Sequence, residues 1–189
     1  MPTRLTCLFV VPVALALAQD KATEKAAPPT DPLSAFNKVA YGYAKMAILR
    51  SAEKMPEENY SFKPTDSVRA FGQILGHVAD AQYMFCSVAL GEKNPAPKIE
   101  QTKTSKAELV AALKDAFAYC DKAYSSMTDA AGNETVAFFG QPNVPKTSVL
   151  DVNLMHTMEH YGNLTTYLRI KNIVPPTSEQ PIAPPAPKK

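Results

Sequence analysis

The sequence is short of glycine and histidine, and neither sign of charge dominates it. Seven glycines in 189 residues leave few backbone hinges, and long stretches rich in Ala, Leu, Met, Lys and Glu favour helix. The formal charge is +2, with Lys and Arg spread along the chain, which excludes the electrostatic footprint of a nucleic-acid binder. No βαβ alternation and no internal repeat appears. There are three cysteines and none stands in a C-x-x-C or C-x-x-C-H pattern, so neither a thioredoxin-type site nor covalently attached haem is indicated. What is present is a 46% share of hydrophobic residues, enough for a buried core and against disorder as a whole. The length suits one domain with extensions.

The extensions are legible at both ends. Arg4 precedes an apolar stretch from Leu5 to Leu17, and Ala16-Leu17-Ala18 forms an A-x-A site ahead of Gln19. Residues 1–18 therefore read as a signal peptide, and the chain as exported, to the periplasm or beyond. The apolar stretch is too short to span a bilayer, so no stable membrane insertion is expected after cleavage. Residues 19–30 read as a linker ending in Pro28-Pro29-Thr30. From Val174 to Lys189 six prolines predict a disordered or polyproline tail. The folded domain is thus 31–173. Cleavage would leave Cys86 and Cys120, both on predicted helices. An exported chain can keep a disulfide, but a domain of this size needs no staple, which favours two buried thiols.

Four helical segments fit into the domain. Asp31-Pro32 offers an N-cap and a first-turn proline, and Pro56 ends that helix after Met55. The second is expected after Pro64, with Asp66 as cap and Gly91 as terminator. Its apolar residues Val68, Phe71, Leu75, Val78, Phe85 and Ala89 recur at three- and four-residue steps. The third opens on Ser105-Lys106-Ala107-Glu108, a capping-box pattern, and continues its inner face through Leu109, Leu113, Phe117 and Cys120. The fourth runs from Thr147 or Ser148 to about Lys171. Between the last two lies a segment from Thr128 to Lys146 that is long for a plain loop, so it either covers a site or contains a short element of its own. The fold class is all-α, a four-helix bundle.

The three histidines carry the chemistry. His156 and His160 are one turn apart on one helical face. His77 lies mid-helix beside Ile74, Val78 and Ala81, and all three are expected to face the interior. Buried imidazoles need partners, and three converging ones repel each other if protonated. One divalent cation answers both demands. Three neutral nitrogens with a fourth position open is a catalytic zinc plan, and imidazole suits nickel, copper and iron as well. A lone inward histidine is more often a hydrogen-bonded core residue; it is the third, on another helix, that favours a metal. His156-Thr157-Met158-Glu159-His160 also matches the H-x-x-E-H pattern of inverted zincins. That class needs an acidic ligand downstream in a large fold, and after His160 only Glu179, in the proline-rich tail, is offered.

Three stretches together resemble the DinB-like superfamily, which includes the YfiT-like metalloenzymes: Met55 to Thr65, Phe71 to Ala81 with the first histidine, and His156 to Leu164 followed by Tyr167-Leu168-Arg169 and Val174-Pro175-Pro176. The resemblance spans about Pro32 to Thr177. It implies an up-down-down-up four-helix bundle, one divalent metal (zinc, nickel or iron) on His77, His156 and His160, and a homodimer. Some members are similar to enzymes using low-molecular-weight thiols, the mycothiol-dependent maleylpyruvate isomerases and bacillithiol S-transferases. The expected function is therefore a metal-dependent enzyme of hydrolase or thiol S-transferase type acting on a small molecule. Asp80 and Glu159 are the acidic candidates for acid–base or supporting roles, and Tyr161 and Asn163 for the pocket wall. The alternatives are a non-catalytic exported bundle with a structural metal, or one binding haem through histidine with Met84, Met155 or Met158.

Overall fold

The computed structural model describes residues 30–179. The expected signal peptide, all of the linker but Thr30, and the tail beyond Glu179 lie outside the described residues. Within them the chain is mostly helical. The elements are α1 (Pro32–Lys54), α2 (Phe71–Leu90), α3 (Ile99–Thr102), α4 (Lys106–Ser126), α5 (Asp129–Gly132), β1 (Thr135–Phe138), β2 (Gln141–Pro145) and α6 (Lys146–Ile170). The four long helices α1, α2, α4 and α6 are the four expected. α2 packs against α4 and α6, and α1 against the same two. No described helix is long and apolar enough to cross a membrane.

Residue pairs show how the helices lie. On α4, Leu109 faces Gly72 near the start of α2, and Cys120 faces Cys86 near its end. Tyr41 of α1 reaches Phe117 and Asp121, while Lys106 at the start of α4 donates to the carbonyls of Glu53 and Met55 at the end of α1. The core between them is apolar, with Ile48, Phe71, Leu75, Leu113, Phe117, Leu150, Leu164 and Leu168 fully buried.

The helix ends depart from the expected caps for physical reasons. Asp31 does not cap α1 with its side chain. It accepts from the Asp129 backbone N–H, and the Asp129 carboxylate caps α1 in return through the N–H groups of Leu33 and Ser34. The donors orphaned at one helix start are thus met by a residue distant in sequence. α2 starts at Phe71, later than the Asp66 cap predicts. The N–H groups of Phe71 and Gly72 bond to the carbonyls of Phe62 and Tyr60, so the preceding turn, Glu57–Asn59, sets the first turn of α2. Val68 accordingly lies outside the helix and is exposed. At α4, Ser105 accepts from the Glu108 N–H as expected.

The Thr128–Lys146 segment holds α5 and an antiparallel β1–β2 hairpin, the short element its length called for. The expected tail begins too early at Val174. Pro175 and Pro176 are buried, Thr177 meets the Tyr161 hydroxyl, and Glu179 pairs with Arg50 and Lys54. Asn172, with a φ of 57°, ends α6, and the buried prolines seat the chain against α1 instead of releasing it.

Cys86 and Cys120 form a disulfide, with Cα atoms 5.3 Å apart, in place of the two thiols favoured above. Two adjacent helices bring these buried positions face to face, a juxtaposition that spacing along the chain does not disclose. By chain entropy, a bridge between residues 34 apart contributes about 3–4 kcal/mol. Cys86→Ser/Cys120→Ser should lower the unfolding free energy in a urea titration by about that amount. In the unfolded wild type these two cysteines should resist iodoacetamide until a reductant is added.

Candidate metal centre

The site forms on the seam between α2 and α6. His77 stands on α2, and His156 and His160 one turn apart on α6. Their Nε2 atoms converge: His77 to His156 is 3.0 Å and His160 to His156 is 3.1 Å. The three rings meet edge to face or tilted, with centroids 4.4–5.0 Å apart. They do not lie at the centre of the bundle, as an inward-facing row suggests. His160 is buried, while His77 and His156 are half-buried, at the edge of the seam where clefts open.

The seam's interior holds a polar cluster that the sequence analysis did not single out. Gln82 donates to Thr157 Oγ1 at 2.9 Å and accepts from Asn153 Nδ2 at 3.1 Å, and Asn153 also donates to the Tyr124 hydroxyl. Gln82 and Asn153 are fully buried. Nothing in their sequence neighbourhood distinguishes them from surface amides beyond falling at apolar positions of the helical period.

His77 is oriented by a carboxylate that the sequence analysis also missed. Its Nδ1 lies 3.1 Å from Glu100, whose other oxygen accepts from Arg69 Nε at 2.8 Å. Burial pushes the Glu100 carboxyl upward, but the hydrogen bond and charge of Arg69, then His77, outweigh it and hold the group below its usual range. An ionised Glu100 accepts only from an Nδ1–H, the neutral-ring tautomer that would free His77 Nε2 for a metal. Glu100 sits on α3, a single turn that resembles an ordinary loop in sequence.

Asp80 explains how α3 is held. Its two oxygens accept from the N–H groups of Ile99 (2.8 Å) and Glu100 (3.0 Å). Each takes one backbone donor, so Asp80 positions α3, and it also lines a cleft beside His77 and His156. Gly76 makes the approach feasible, since a Cβ there would meet Glu100 Cα at 2.7 Å. Glu159, the other acidic candidate, is exposed beside His156 and His160, on the rim of two clefts. Asn163 Nδ2 lies 3.4 Å from His160 Nδ1 and lines one of these clefts. Tyr161 is buried and anchors Thr177 instead of facing a pocket.

The donor set suits a cation. Burial, then the neighbouring histidines, pushes the His156 basicity down to about 4, and burial, then His77 and Arg69, does the same for His160. Both rings are therefore neutral near pH 7. His156 Nε2 faces two other ring nitrogens, and a single ring proton serves both poorly. A cation satisfies all three lone pairs. Donors on a tetrahedral ion at ~2.0–2.1 Å lie about 3.3 Å apart, close to the separations seen. The three histidines can hold a metal ion between them. The close nitrogens leave no space for a macrocycle between His156 and either of the other two histidines. Met84 lines a cleft beside His156, and Met155 is exposed there.

Comparison with known proteins agrees with this architecture. YjoA of Bacillus subtilis (strain 168), an uncharacterised protein, is 26% identical over 122 residues, which cover 62% of this chain and 77% of YjoA. A DinB-like protein from Bacillus cereus ATCC 10987 superposes with a TM-score of 0.65 at 18% identity, over 74% of this chain and 93% of that one. The mycothiol-dependent maleylpyruvate isomerase does so at 0.59 and 15% identity, over 69% of this chain and 60% of the isomerase. Likeness at these identities establishes the shared fold. Residues 40–164, more than half of the sequence and all three histidines, match the DinB superfamily, and the chain belongs to that family.

Proposed function

We propose that the chain is a metal-dependent enzyme acting on a small molecule, with one divalent transition ion (zinc, nickel or iron) held by His77, His156 and His160. The observation that carries this is the convergence of three Nε2 atoms, one of them set by Glu100 behind its ring. Such an ion supplies Lewis acidity, lowering the pKa of a water or thiol and polarising a substrate oxygen. The chain's own residues do the rest. Glu100, clamped by Arg69, fixes the His77 tautomer and ring plane. Asp80 and Gly76 hold Glu100 in place. Glu159, exposed at the cleft rim, is the group we assign to moving a proton. The reaction class is hydrolysis or thiol transfer.

Clefts at the histidines favour catalysis over a purely structural ion, because structural zinc sites are closed by a fourth protein ligand. We also propose that the chain is exported. The charged and apolar leader supports this, as does a disulfide suited to an oxidising compartment. The four long helices fit the up-down-down-up order of the resemblance, supported by the pairing of Lys106 with the end of α1 and of Cys120 with Cys86. A homodimer has a surface to use, since Leu33, Phe36, Val39 and Tyr43 stand exposed along α1.

Elemental analysis of the purified protein should find about one equivalent of transition metal, in keeping with a single three-ligand site. His156→Ala/His160→Ala should lose it while keeping the helical circular-dichroism signal. Absence of metal from the folded wild type, even after dialysis against zinc or nickel, would sink the reading. Glu100→Ala should weaken metal affinity by ~10–100-fold, the usual loss when a carboxylate behind a ligating histidine is removed. Gly76→Ala should do the same by displacing α3, and competition with a chromogenic chelator measures both.

A further inference from the structure

The hairpin tip breaks the rules of its own turn. β1 and β2 are joined by Phe139 and Gly140, with Phe138 paired to Gln141. Both loop residues have positive φ, 47° for Phe139 and 79° for Gly140. That is the signature of a type I′ turn, whose first position favours Asn, Asp or Gly. A bulky aromatic side chain there is a genuine outlier, and such strain concentrates at ligand-binding positions. Phe139 is also 70% exposed. Neither turn preference nor burial accounts for phenylalanine at this point.

What surrounds Phe139 does account for it. It faces Phe85 edge-on with ring centroids 6.2 Å apart, and Phe85 in turn lies 5.5 Å from the His156 ring. A cleft of about 560 Å³ opens between the hairpin tip and α6, walled by Met84, Phe85, Phe139, Val152, Met155 and His156. Met155 is 62% exposed, so two large apolar side chains stand in water on either side of a histidine of the metal centre. Glu159 at the rim is the one ionisable group here apart from the histidine, and it disfavours an anionic occupant. A second cleft, on the His160 side, contrasts with it: Asp66, Ser67, Arg69, Gln73 and Asn163 make it polar.

We propose that the substrate carries an uncharged hydrocarbon group, aryl or extended alkyl, that lies in the Phe139–Met155 cleft while its polar reacting group sits at the histidines, and that Phe139 determines this specificity. The inference rests on the metal-centre reading for the reacting end only; the cleft exists without the ion. Phe139 is held where a polar turn residue would serve the hairpin better, and the gain is an apolar lip next to His156. Extra apolar contact of this kind discriminates between substrates without altering how the polar end binds.

The test uses two metal-directed probes on the zinc-loaded full chain, acetohydroxamate and 3-phenylpropanohydroxamate, and one probe indifferent to metal, 3-phenylpropanol. In calorimetry the phenyl hydroxamate should bind wild type about tenfold or more tighter than acetohydroxamate, as burial of a hydrocarbon group implies. Phe139→Asn should bring that preference to about threefold or less, with acetohydroxamate affinity and thermal midpoint not reduced, because Asn suits the turn. 3-Phenylpropanol should shift the Met84 and Met155 methyl resonances even in chelator-treated protein. A phenyl preference absent from wild type, or undiminished in Phe139→Asn, would overturn the proposal, as would unmoved methyl resonances. Shifted methyl resonances beside a failure of acetohydroxamate to bind would support the cleft and defeat the metal reading alone.

Discussion

The register between α2 and α6 is the constraint on which the rest depends. Gln82 and Asn153 place amide groups in the driest part of the seam, and each must find a partner across it or strand a polar group at a cost of kcal/mol. Gln82 bonds to both Thr157 and Asn153, while Asn153 Oδ1 stays without a partner among the described residues. A slip of one helical turn, about 5.4 Å, would break both of these bonds. Farther along the seam, the Tyr167 hydroxyl bonds to the Arg69 carbonyl. His77, His156 and His160 lie between these two pins. The disulfide from Cys86 to Cys120 ties α2 to its other neighbour near the same level.

A ligand set needs more than three side chains in one place; each ring must present the correct nitrogen. At His77 that task falls to a segment contributed from outside the seam. Asp80 grips the backbone of α3, Gly76 makes room for it, and the result is a carboxylate on His77 Nδ1 with Arg69 on its far side. A helix glycine and the candidate aspartate therefore both act on the site through α3. His156 is held differently: its Nδ1 is buried without a hydrogen-bond partner among the described residues, so packing against Phe85 sets its plane.

The surroundings of the centre are lopsided. α2 and α6 supply the histidines, but the hairpin adds an apolar lip on one side, and the loop before α2 adds a polar wall on the other. A bundle seam alone offers a nearly symmetrical groove. The inserted hairpin and the long first connection differentiate it, which fits the general division of labour between a rigid scaffold and loops that carry specificity.

Much of this was legible in the sequence. Helix periodicity, the prolines at Pro32 and Pro56 and the Ser105 cap located four long helices because those signals are local and energetically dominant within a turn or two. The i,i+4 pair His156 and His160 was legible for the same reason, and His77 stood out because no other histidine competes with it. What the tertiary structure alone decided is everything set by contacts distant along the chain. That the two cysteines face each other, that Asp129 and not Asp31 caps α1, that Phe71 begins α2, and that Glu100 rather than Glu159 stands behind a histidine all follow from backbone and side-chain partners 9 to 98 residues away. A residue's period along a helix tells which face it occupies; only packing determines what lies opposite that face.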